Sequence, residues 1–145
     1  MHDEIIFLDS NLWIYLFLNS ENEQDKLKQI KVKQLLLDYS LVVCSAQVLN
    51  EVSNTLFRKY HIEVEIIESY IESILDVVFM QALNEAITLK ALSLLKKYHF
   101  SFYDALIVAA ALQTKCDILF SEDMQHNLIV NDSLRIVNPF LVSEI

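Results

Sequence analysis

Four carboxylates in this sequence have the type and setting for chemistry: Asp9, Glu51, Asp104 and Asp123. Each follows one pattern, an apolar stretch, then a polar break, then an acid near a helix start. An ionised acid at the end of a buried strand costs free energy unless something compensates it. The two cysteines (Cys44, Cys116) and four histidines (His2, His61, His99, His126) have no zinc-type spacing. Carboxylate oxygens as the donor set then select a hard cation, Mg²⁺, with Mn²⁺ as the alternative. Such a centre can polarise a phosphoryl oxygen and activate water for in-line attack on a phosphodiester. Ser10, Asn11, Ser121 and Glu122 adjoin the acids and can orient them from behind. Plainer roles compete: a helix cap for Asp9, a solvated helix position for Glu51, a capping arrangement for Asp104. The fourfold repetition favours convergence on metal.

The elements that must position these acids follow from apolar runs and capping residues. Ile5 to Leu8 reads as a strand buried on both faces, as in a parallel sheet, stopping on Asp9. Further strands are expected at Leu41–Cys44, Val77–Met80, Ile118–Phe120 and Leu134–Val137. Between them the helical spacing predicts helices over Leu12–Leu18, Lys26–Asp38, from Ser45 through Leu56, Glu63–Leu75, from Asn84 to Lys97, and from Ser101 to Leu112. Alternation of strands and helices predicts a three-layer α/β/α sandwich on a mainly parallel sheet of about five strands, with right-handed crossovers. The crevice beyond the carboxyl ends of such strands is where ligands bind.

At 145 residues and mean hydropathy +0.33, one folded domain over residues 1–145 is expected. No apolar run is long enough for a membrane span, and none is flanked like a signal peptide, so no membrane partner and a cytoplasmic location are expected. Both cysteines are then expected to be reduced and structural. Glycine is absent, which excludes the phosphate-binding loop and the dinucleotide fingerprint. Any left-handed turn must use another residue, Asn above all. The net charge of −9 disfavours tight non-specific binding of nucleic acid but is compatible with a metal-dependent nuclease, because bound cations reverse the local field. Arg58, two turns beyond Glu51, is the candidate RNA phosphate contact. The helix Glu63–Leu75 has apolar residues on more than one face and is expected at a protein interface, with Ile67 and Ile74 among its apolar positions.

The segments Phe7–Asn11, Glu51, Phe102–Ile107 and Phe120–His126 together resemble the PIN-domain signature, and among its members the VapC-type toxins of type II toxin–antitoxin pairs. The resemblance runs nearly the length of the chain, as far as Ile136–Phe140. It implies a Mg²⁺-dependent endoribonuclease acting on RNA such as tRNA or rRNA, a homodimer, and inhibition by a cognate antitoxin. By position it implies Asp9, Glu51, Asp104 and Asp123 as the acidic quartet, with Asp123 favoured over Glu122. Lys115 and Asn127 stand where many relatives carry glycine.

Two other classes fit parts of the sequence. A phosphatase or receiver-type domain also sets an Asp after its first strand. However, Asn11 stands where the phosphatase pattern needs a second Asp, and no Lys is suitably placed for a receiver. A PIN-like module that only binds protein would keep the fold without using the acids. Metal-dependent RNA cleavage separates the nuclease from that module, and phosphate transfer from a small donor would favour the receiver.

Overall fold

The computed structural model describes residues 2–141, so Met1 and residues 142–145, the ends of the expected domain span, lie outside the described residues. The elements run β1 (His2–Leu8), α1 (Ser10–Phe17), α2 (Glu23–Asp38), β2 (Tyr39–Ser45), α3 (Ala46–Arg58), α4 (Val64–Leu75), β3 (Phe79–Gln81), α5 (Glu85–Leu95), α6 (Phe102–Gln113), β4 (Ile118–Phe120), β5 (Ile129–Val130) and β6 (Leu134–Val137). The sheet has six strands in the order β3-β2-β1-β4-β6-β5, all parallel except the β5–β6 pair. All five expected strands are present. The sixth, β5, makes an edge hairpin with β6, turning through Asn131 and Asp132 at φ 49° and 59°.

The strand order positions the site. From β1 the chain steps to β2 and then β3 in one direction. It then crosses back to β4, on the far side of β1. Right-handed crossovers made in opposite directions put α1–α4 on one face and α5–α6 on the other. The sheet therefore has its switch point between β1 and β4, and a crevice opens beyond their carboxyl ends. The core is continuous across both layers: Ile6, Phe7 and Leu8 of β1, Leu12 and Trp13 of α1, Val48, Val52 and Leu56 of α3, and Leu119 and Phe120 of β4 are fully buried. Helix α6 presents buried residues all round from Ala105 to Ala111, as its unbroken apolar sequence requires. Among the described residues no helix is long and apolar enough to cross a membrane.

Several local expectations need correction. The strand expected at Val77–Met80 starts two residues later: β3 begins at Phe79, on the edge of the sheet, and Val77 and Phe79 are 57% and 70% exposed. Ile67 and Ile74 of α4 are buried in the core, Ile67 at the groove between α3 and α4. The exposed apolar residues of that helix are Val64, Ile66 and Leu75. Cys44 and Cys116 are free and buried, and burial pushes their thiols up to about 12 and about 11, beyond the range of reactive thiolates.

Candidate metal centre

Asp9 follows β1 directly and Ser121 follows β4 directly. Because the two strands are parallel neighbours, the residues that follow them emerge side by side. The backbone continues the pairing, with Asp9 N–H donating to the Phe120 carbonyl at 2.9 Å. The Asp9 side chain is 5% exposed. Its Oδ1 accepts from Ser10 N–H at 2.7 Å and its Oδ2 from Ser121 Oγ at 2.8 Å. Asp9 is also the N-cap residue of α1, so the capping role and the site position belong to one side chain. Burial raises its pKa, the Ser121 and Ser10 hydrogen bonds oppose the rise, and the charges of Asp104 and Asp123 add to it.

The other acids reach the same crevice from separate elements. Ser45 caps α3 by accepting from Val48 N–H at 3.3 Å, and Glu51 lies in the second turn, beside the buried Val48–Val52 stripe. Burial raises the Glu51 pKa. A hydrogen bond from Gln47 lowers it, and the charges of Asp9 and Asp104 raise it further. Ser101 caps α6 by accepting from Asp104 N–H at 3.1 Å, which sets Asp104 in the first turn. Burial raises Asp104, its hydrogen bond with Ser101 opposes that, and the Asp123 charge raises it. Asp123 follows β4 and accepts from Asn11 Nδ2. The four carboxylates thus lie within electrostatic reach of one another, linked in pairs through Asp9 and Asp104.

Of the neighbouring polar residues, Ser10 and Ser121 hold Asp9, and Asn11 holds Asp123. Ser121 Oγ also accepts from Met124 N–H at 3.3 Å, pinning the loop after β4. Glu122 faces elsewhere. Its carboxylate pairs with Lys28 of α2 and accepts from the Tyr15 hydroxyl at 2.6 Å. That pairing leaves Asp123, not Glu122, turned towards Asn11. Arg58 is exposed in the last turn of α3, its guanidinium 5.7 Å from the Phe57 ring, two helical turns along the axis from Glu51. Sequence reasoning missed Lys28 and Tyr15, whose shared partner Glu122 lies 94 and 107 positions away, and also Gln47. Gln47 was visible as the position four before Glu51 on one helical face.

The donor set fits a hard divalent cation. All four acids offer carboxylate oxygens, and the buried member is held by hydroxyl and amide donors, with no Lys or Arg beside it among the described residues. Among the described residues no group of three or more His, Cys, Asp or Glu side chains is close enough together to hold a metal ion. Neighbouring carboxylates repel one another, and a bound cation would relieve that repulsion.

Residues 6–129 match the family model described as the PIN domain. A sequence search of curated proteins finds no match. Solved structures share the fold. One is a Mycobacterium tuberculosis VapC20, described as a Sarcin–Ricin loop cleaving toxin, with TM-score 0.64, 22% identity, and coverage of 81% of this chain and 91% of that one. Another is a toxin–antitoxin complex from Klebsiella pneumoniae, with TM-score 0.66, 20% identity, and coverage of 97% and 99%. A third is VapBC2 from Rickettsia felis bound to a DNA fragment from its promoter, with TM-score 0.62, 18% identity, and coverage of 91% and 98%. With the family model spanning most of the chain and the fold shared along nearly its whole length, this protein belongs to the PIN-domain family.

Proposed function

We propose that this protein is a Mg²⁺-dependent endoribonuclease, with Mn²⁺ able to substitute, and that it is the toxin of a toxin–antitoxin pair. The observation that carries the reading is Asp9: a buried carboxylate with no cationic side chain beside it among the described residues, held by Ser121 and Ser10 and facing the charges of Asp104 and Asp123. Asp9, Glu51, Asp104 and Asp123 would hold the cation. When bound, the cation supplies charge neutralisation at the phosphoryl group and a more acidic attacking water. Ser121 and Ser10 fix the Asp9 carboxylate, and Asn11 fixes Asp123, so the oxygens are aimed before substrate arrives. Glu51 and Asp104, only half buried, leave the crevice open on the side from which a phosphodiester enters. The RNA-cleaving VapC20 and the toxin–antitoxin complexes that share the fold support the same reading.

An antitoxin partner is part of this proposal. Helices α3 and α4 leave a groove of about 650 Å³ between them, lined by Phe57, Val64, Ile67 and Ile71 together with Glu68 and Glu72. An amphipathic basic segment of a partner fits that chemistry. A homodimer and a cytoplasmic site of action belong to the same reading. Incubating purified protein with total RNA in Mg²⁺, in Mn²⁺ and in EDTA tests it. Discrete fragments that depend on the metal are expected, and intact RNA under all three conditions would return the protein to the class of binding modules.

A further inference from the structure

A second cavity adjoins the carboxylates. It measures about 260 Å³ and lies between the α5–α6 connection and the loop after β4. Asp104 and Asp123 share its lining with Lys97, Tyr98, His99 and Phe100. The aromatic pair is held in place. The Tyr98 hydroxyl accepts from Asn131 N–H at 2.9 Å, tying the ring to the left-handed turn of the β5–β6 hairpin. The Phe100 ring stands 5.6 Å from it at 40°. Both rings are half buried, whereas Lys97 and His99 are exposed. Gln125, whose amide offers both a donor and an acceptor, lies on the same lining.

Resting on the nuclease reading, we propose that this cavity takes one unpaired nucleobase next to the scissile phosphate. The volume admits a single base and no helical element. Every base has a π-face, and aromatic rings are the usual stacking surface for bases that have left a helix. In a chain of net charge −9, the exposed Lys97 puts positive charge on the lining that Asp104 and Asp123 share, where a phosphate backbone must pass. The pocket therefore requires single-stranded or looped RNA at the cleavage point, and Gln125 is placed to read the edge of the base.

The test uses short unstructured RNAs carrying 2-aminopurine at each position in turn, alone and annealed to a complement. In EDTA, wild-type protein should quench the fluorophore at one position of the single strand and at none in the duplex. Phe100→Leu, which keeps an apolar side chain but removes the ring, should abolish the quench. In Mg²⁺ it should raise KM by about five-fold or more, with kcat within about two-fold. Lys97→Ala should flatten the salt dependence of binding and His99→Ala should weaken the quench; both positions are exposed, and the two variants carry the test if Phe100→Leu fails to fold. Wild-type quench, KM and salt slope in all three variants would overturn the proposal. If wild type quenches the fluorophore but cleaves no RNA, the pocket stands and the nuclease reading fails. If it cleaves RNA without position-specific quenching, the reverse holds.

Discussion

Ser121 Oγ donates to Asp9 Oδ2 across 2.8 Å, joining the ends of β4 and β1 where the sheet switches direction. The bond holds a buried charge and anchors the loop that carries Asp123. A hydrogen bond to a charged group contributes about 1.5–3 kcal/mol. Ser121→Ala should lose stability of that order in urea unfolding at neutral pH, and its stabilisation by Mg²⁺ should shrink. A variant as stable as wild type would contradict the role assigned to Ser121.

The acids also set a pH dependence. Burial, reinforced by neighbouring carboxylates, raises the folded pKa of Asp9 and Asp104 above 3.8 and of Glu51 above 4.5. A folded pKa above the unfolded one means that the folded state binds more protons within that window. The associated stability is fully present below the ordinary carboxylate values and is lost as pH rises through the raised ones. In EDTA, wild type should therefore lose melting temperature relative to Asp104→Asn as pH climbs from the carboxylate range to neutrality. Parallel curves for the two proteins would show that Asp104 titrates normally.

Much of this architecture was legible, and the reasons are local. Ser45, Asn84 and Ser101 each cap the helix they precede, because a side-chain oxygen beside free backbone N–H groups needs only nearby sequence. Asp9 and Asp104 stood out locally because one directly follows a strand and the other lies in the first turn of a helix. Glu51, in the second turn of α3, and Asp123, three residues past β4, had only the wider pattern to mark them. Pairs such as Tyr15–Glu122 and Lys28–Glu122 depend on how distant elements pack, and no spacing announces them. The sixth strand was missed because Ile129–Val130 is too short for a pattern, although Asn131–Asp132 is a hairpin-turn signal. The edge position of β3 was missed because a short apolar run reads alike at an edge and at a centre.

The absence of glycine has a measurable consequence at Lys115. Lys115 N–H donates to Leu112 O and Cys116 N–H to Ala111 O, closing α6 with Lys115 at φ 58°. Asn127 is left-handed too, at φ 67°. A Cβ in this conformation costs roughly 1–2 kcal/mol, and glycine costs about 0.5–1 kcal/mol in chain entropy. Lys115→Gly should thus stabilise the protein by up to about 1 kcal/mol in thermal or chemical unfolding. A clear loss of stability would show that the Lys115 side chain makes a compensating contact.

The core and the exposed face of α4 can be separated by substitution. Ile74 is 1% exposed and Ile66 is 42% exposed on the same helix. Ile74→Ala should cost about 2–5 kcal/mol, through lost transfer energy and the cavity it leaves. Ile66→Lys should change stability by about 0.5 kcal/mol or less. Equal effects from the two in urea unfolding would contradict the packing described for α4.

The central claim is that the four acids hold a divalent cation, and Asp104 tests it because its capping and metal-holding roles diverge. The measurement is the Mg²⁺-induced shift in melting temperature of wild type and of Asp104→Asn. If Asp104 serves only the start of α6, its loss should lower apo stability by roughly 0.3–1 kcal/mol and leave the Mg²⁺ shift intact. If it is one of four crowded carboxylates, apo Asp104→Asn should be at least as stable as wild type, since like-charge repulsion falls. Its Mg²⁺ shift should then shrink or vanish, because that shift arises from binding to the folded state alone. The account predicts a stable apo variant that has lost its response to Mg²⁺; a destabilised variant with a wild-type Mg²⁺ shift would contradict it.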